Sequence, residues 1–239
     1  MAFGFYDTRR QALLPHPRVP LPVLLVIENA LCAAWNLLRT KPRADFKLLT
    51  ASEDAITLEL HEALFDRVFD KGIVGGFNRQ VFSTVAREPK IRSYNYKHPD
   101  KMPDLLVSLV GRPAGILNTQ DGIFIECKPV DTQHAVGGHY CKKGLVRFIR
   151  GEYAWAMRSG MMVGYARSGY TIVPKLRDAL KSPPRGISRA VLSRPCRRSK
   201  ANAISEAVYS SEHARRFKYQ ETGRPAPPIT IRHLWLKKD

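Results

Sequence analysis

The chain is poor in acid and lacks paired cysteines. Its 239 residues carry 21 Asp and Glu against 39 Lys and Arg, a formal net charge of +18 at pH 7. Such a field attracts phosphate, anionic lipid or acidic protein, and nucleic acid is the commonest partner for that balance. The cysteines Cys32, Cys127, Cys141 and Cys196 are widely spaced and form no C-x-x-C pair, which argues against a disulfide framework or a zinc ribbon and fits free thiols in a reducing cytoplasm. Cys127, His134, His139 and Cys141 form a tempting zinc set, but their spacing matches no common finger. There is no internal repeat and no nucleotide-binding glycine loop, so any ATP-driven step has to come from a partner. The most apolar early stretch, residues 21–38, is interrupted by Pro22, Glu28, Asn29 and Asn36, whose polar groups are costly at a bilayer centre; it reads as a buried helix, not a membrane span or secretory signal. A cytoplasmic protein with no membrane partner is the expectation.

An apolar fraction of 44% is ordinary for a folded globular chain, and the length suits one main domain. Residues 1–20 read as an irregular arm, followed by a helix to about residue 38. Ser52 is a suitable N-cap for a second helix, with Glu53 and Asp54 in its first turn, running to about Asp70 and stopping at Gly72. Strands are expected over 77–86, 104–110 and 122–130, the last two as an antiparallel hairpin. A long amphipathic helix is expected over about 139–158, with Leu145, Phe148, Ile149, Trp155 and Ala156 on one face and Lys143, Arg147, Arg150 and Arg158 on another. A core strand over 161–166, a mobile cationic segment over 181–200 and a last strand over 229–236 complete the reading. It gives an α/β fold with a central mixed sheet, divided as arm and helix (1–50), core (51–170) and basic C-terminal extension (171–239).

The chemistry lies in Pro103-Asp104, at the head of one strand, and Glu126-Cys127-Lys128, within the next. The strand period of 2 sets Glu126 and Lys128 on one face and Cys127 on the other with Ile123 and Ile125. A carboxylate and an ammonium on a core strand are expensive unless they pair or meet a cation. Asp104 and Glu126 on adjacent strands suit Mg²⁺, which takes few carboxylates, several waters and a substrate phosphate. Lys128 could orient or help deprotonate a bound water and stabilise developing charge on phosphorus, so the expected reaction is phosphodiester hydrolysis. The competing readings are a turn-capping Asp104 and an exposed edge pair of Glu126 and Lys128.

With these residues the sequence resembles the PD-(D/E)XK, restriction-endonuclease-like nuclease superfamily. The resemblance covers about residues 52–166 and implies a core of helix, three-stranded antiparallel meander, helix and strand (αβββαβ). It implies a Mg²⁺-dependent nuclease, with Mn²⁺ able to substitute, acting on DNA or RNA in settings such as restriction, phage defence or repair. It also implies a further acid from the first core helix. Glu59 and Glu62 are the candidates, with Glu59 favoured; Glu53 is a third option, better explained as first-turn dipole compensation. A polar residue on the helix after the E-x-K strand is implied too, for which Lys142, Lys143 and Arg147 are open alternatives. Arg150, Arg197 and Arg198 extend the cationic surface as phosphate contacts. Tyr94, Tyr96, Lys97 and His98, just before Asp104, suit base stacking or a groove wall. A homodimer or a partner protein remains open; the rival readings are a catalytically silent nucleic-acid-binding subunit and a chain whose charge meets an acidic protein.

Overall fold

The computed structural model describes residues 12–193, 205 and 207–238. Six strands form one mixed sheet: β1 (Phe82–Arg87), β2 (Leu105–Leu109), β3 (Ile123–Val130), β4 (Ser159–Ala166), β5 (Tyr209–His213) and β6 (Ile229–Lys237), in the spatial order β1-β2-β3-β4-β6-β5. β1, β2 and β3 are antiparallel neighbours; β3, β4 and β6 run parallel, and β5 returns antiparallel to β6. The α/β class with a central mixed sheet is thus observed.

Helices cover both faces. α1 (Leu21–Thr40) and α2 (Glu53–Glu62, extended by a wide π-helical segment Ala63–Phe69) pack together on one side. Ser52 caps α2 by accepting from the Ala55 amide at 3.3 Å. The helix stops at Gly72 as expected: Gly72 has φ +61, its amide bonds to Phe69 O, and Ile73 N reaches back to Val68 O. On the other face a π-helical segment, Gly137–Leu145, runs into α3 (Val146–Ile149), and α4 (Ile172–Lys181) lies against it.

Two expected elements are shorter. Residues 77–81 form a turn before β1, with Val81 and Phe82 amides bonded to Asn78 O, and Phe77 is fully buried against Phe69 and Phe82. The helix expected to reach residue 158 ends at Ile149. Gly151, at φ +68, donates to Phe148 O while Glu152 N donates to Arg147 O, the paired bonds of a left-handed helix stop. Trp155 and Ala156 therefore belong to no helix face; they join a second small core with Leu14, Phe217, Tyr219 and Ala226.

Two elements were missing from the sequence reading: α4 and β5. With β6, β5 makes the C-terminal third part of the sheet itself, since β6 separates β4 from β5. α1 is tied to the same sheet: Trp35 Nε1 donates to Lys237 O at 2.8 Å, and Glu28 is buried in an ion pair with Arg232 of β6. α1 is long and apolar enough to cross a membrane by length and composition. In the fold it buries Ile27, Ala30, Leu31, Ala34 and Trp35 completely, as a core helix does. The 181–200 segment is described only to residue 193, where Ser193 bonds to Ser210.

Candidate active site

β2 and β3 part company at the site. Their register runs from Leu105 opposite Ile125 to Val107 opposite Ile123, so residues 126–130 of β3 extend beyond β2 and pair only with β4. Pro103, which has no N–H, precedes the strand, and the Asp104 side chain continues the ladder instead: Oδ2 accepts from the Cys127 amide at 2.5 Å. The fork between the strands is filled by side chains of both.

Glu126 and Lys128 share one face, as strand parity requires, and Cys127 lies on the other against Tyr165. Lys128 Nζ is the hub. It stands 3.0 Å from Glu126 Oε1 and 3.7 Å from Asp104 Oδ2, and donates to Glu53 Oε1 at 2.5 Å and to the Cys127 carbonyl at 2.8 Å. Glu126 is wholly buried: Oε1 also accepts from Arg147 at 3.1 Å, and Oε2 accepts a short hydrogen bond from Tyr153. Gly144 brings the helix down onto this cluster; a Cβ there would lie 3.4 Å from both Glu126 Cγ and Lys128 Cγ.

The acid of α2 that meets this cluster is Glu53; Glu59 and Glu62, expected in that place, do not reach it. Those two pair with Arg43, at 3.8 and 2.5 Å. The reason is axial distance, since six residues of helix amount to about 9 Å of rise, so only the N-terminal carboxylate reaches the β2–β3 fork. Tyr153 was missed altogether. It depends on the turn at Gly151, which folds the chain back beneath the sheet instead of continuing the helix.

The electrostatics follow from burial. Desolvation pushes the Asp104 carboxyl up to about 7, with the neighbouring Glu126 charge adding to it. Burial alone would lower the Lys128 pKa, but Glu126, Asp104 and Glu53 outweigh it and raise it. Lys128 is therefore held as an ammonium, a hydrogen-bond donor; the alternative of a proton-accepting lysine does not suit this site. Desolvation also raises the Tyr153 phenol well above its usual value, so it remains a donor to Glu126.

Three carboxylates meet one ammonium and one guanidinium, leaving hard oxygen and negative charge in excess. That donor set fits a divalent cation that keeps most of its waters. Asp104 and Glu53 are its accessible members, with side chains 20% and 30% exposed. Among the described residues no set of three His, Cys, Asp or Glu forms a ready-made metal cage. Glu126 Oε1 is shared by Lys128 and Arg147 and Oε2 accepts from Tyr153, so a cation bound by Glu126 would take the remaining lone pair of Oε2 or replace one of the donors. Glu59 and Glu62 are outside any such set.

The expected phosphate contacts divide. Lys142, Lys143 and Arg150 are exposed, whereas Arg147 is turned to Glu126. Arg197 and Arg198 lie outside the described residues. The described cysteines Cys32, Cys127 and Cys141 are free thiols, and Cys127 and Cys141 are buried. His134 bonds to Asp131 at 2.8 Å, apart from any zinc set.

Compared with protein-family models, with curated proteins and with solved structures, the chain matches none.

Proposed function

We propose that this protein is a metal-dependent nuclease of the restriction-endonuclease-like class that hydrolyses phosphodiester bonds in DNA. The observation that carries the reading is the convergence of Glu53, Asp104 and Glu126 on Lys128 Nζ where β2 and β3 diverge. The order helix, antiparallel β1-β2-β3, helix, parallel β4 supports the class. The charge of +18 supports a polyanionic substrate.

Asp104 and Glu126, with Glu53, would hold Mg²⁺ or Mn²⁺. Bound there, the cation would offset charge on the scissile phosphate and acidify a coordinated water. The chain's own part is positional. Tyr153 and Arg147 fix the Glu126 carboxylate from two sides, and the Cys127 amide fixes Asp104. The three N–H groups of Lys128 face Glu53, Glu126 and the Cys127 carbonyl, and one of them would turn to the attacked phosphate once a cation engages the carboxylates.

The test is incubation of the full chain, beside its Asp104→Ala/Lys128→Ala variant, with linear, circular and single-stranded DNA in Mg²⁺, Mn²⁺ and EDTA. Cleavage by the wild type alone, absent in EDTA, is expected. One feature favours a second reading, a nucleic-acid-binding subunit that does not cut alone: Glu126 has both oxygens engaged by protein donors. Metal-independent binding without cleavage would select it.

A further inference from the structure

On backbone segments that lead into the candidate active site lies a cavity of about 500 Å³, within the range of sites that hold small molecules. Its walls include Tyr94, His98, Lys101, Arg150, Arg216 and Phe217. It shares two backbone segments with the candidate active site. Lys101 precedes Asp104 by three residues, Glu152 directly precedes Tyr153, and the two are joined by an ion pair of 3.2 Å across the cavity wall. Arg150 lies about one turn after Arg147, the residue that holds Glu126.

The lining has a definite chemistry. Tyr94 stacks on Phe217 with ring centroids 4.3 Å apart and planes at 26°, and the half-buried Tyr94 is part of the cavity wall. Gly151 makes this approach possible, because a Cβ there would meet Phe217 Cε1 at 2.7 Å and Tyr94 Cδ1 at 3.0 Å. The only acid in the lining, Glu152, is engaged by Lys101, whereas Arg150 and Arg216 have no acidic partner among the described residues. The alternating burial of residues 211–219 turns Ala214 and Arg216 outward to this side while Ser211, His213, Arg215 and Phe217 point in. An aromatic surface flanked by two guanidinium groups that meet no acid among the described residues is suited to a base and its adjoining phosphates.

We infer that this cavity receives one unpaired nucleotide of the DNA strand, its base against Tyr94 and its phosphates between Arg150 and Arg216, next to the bond presented to Asp104 and Glu126. The inference rests on the nucleic-acid reading above and names the substrate feature: a strand with an unstacked nucleotide beside the cleavage point, in preference to a fully paired duplex. The preference has an electrostatic part, from the guanidinium groups, and a part that depends on the base itself.

The experiment measures binding by the full chain in EDTA, where metal-dependent cleavage is suppressed. Three short duplexes are compared: fully paired, carrying one central unpaired thymidine, and carrying an abasic residue at that place. The thymidine duplex is expected to bind about tenfold more tightly than the abasic one, the effect of one stacked base. Ala214→Trp, at an exposed position, fills the cavity and should erase that difference; Tyr94→Leu should do so too, and Arg216→Ala should weaken both bulged duplexes. Thermal melts establish that each variant is folded. Equal affinity for thymidine and abasic duplexes, or a preference that survives Ala214→Trp, overturns the cavity's role while leaving the nuclease reading in place. Failure to bind any of the three overturns both.

Discussion

Glu53 and Glu59 have the same side chain on the same helix, yet one meets Lys128 and the other Arg43. Glu53→Gln removes a carboxylate from the fork and should lower metal-dependent cleavage by about a hundredfold, the order expected for one charged group at a reacting phosphate. Glu59→Gln should leave the rate within about twofold, as surface pairs contribute little. Equal losses in the two variants would discard the assignment of Glu53. Asp104 supports a second residue-scale prediction. Its folded pKa of about 7 exceeds the unfolded value, so the native state binds more protons between pH ~4 and 7, and stability falls as pH rises through that window. Asp104→Asn keeps an oxygen for the Cys127 amide and removes the buried charge. In EDTA at pH 8 it should raise stability by about 1–2 kcal/mol, some 3–6 °C in Tm. An unchanged or lower melting temperature would show that Asp104 is not under that strain. Asp104, Glu126 and Lys128 were legible as a set because strand parity alone puts two of them on one face. Glu53 was not, because a first-turn acid has a sufficient local explanation, and which acid on a helix reaches a strand depends on how the helix is docked.

At the scale of elements, the join between β5, β6 and the 137–145 segment holds a buried polar chain. Ser211 Oγ is 2.7 Å from both His213 Nε2 and His233 Nε2, and His233 Nδ1 is 3.0 Å from the Tyr140 hydroxyl. Desolvation depresses His213 to about 4 and His233 to about 3, each buried as the neutral ring. Both folded values lie below the unfolded one of about 6.5, so their contribution to stability is full above that pH and is lost as pH falls toward the folded pKa values. In an Asp104→Asn background, which removes the opposing carboxyl, denaturant midpoints should therefore drop from pH 6.5 to 4, and adding His233→Gln should flatten the fall; a profile unchanged by that second substitution would remove the histidines as its cause. The same region shows why β5 was unreadable. Tyr209–His213 contains three hydroxyls and a glutamate, and its inward positions are Ser211 and His213, so no apolar alternation marks it. The early stop of α3 is the reverse case: Gly151 is a suitable helix stop, but apolar residues continue at helical spacing beyond it, so the period alone extends the helix. Those residues, Trp155 and Ala156, are apolar for a different core.

For the whole molecule, the sheet order places β6 beside β4, with β5 outside it. A chain ending at residue 170 would leave the edge of β4 unpaired and strip α1 of Arg232 and of the Lys237 carbonyl. It should be insoluble or lack near-ultraviolet circular dichroism, whereas a cooperative melt with native-like signal would show residues 171–239 to be dispensable. The amino-acid sequence by itself determined the basic charge, the α/β class, the capped start and glycine stop of α2, the β2–β3 hairpin and the shared face of Glu126 and Lys128. Each of these is a local matter of composition, period or turn chemistry. Only the tertiary structure decided that Glu53 completes the carboxylate cluster, that Tyr153 and Arg147 hold Glu126, that β5 joins the main sheet outside β6, and that residues of the 93–101, 149–152 and 214–217 stretches line one cationic, aromatic cavity. Those features join residues far apart in the chain, and their partners are chosen by helix docking and strand order, which no local pattern encodes.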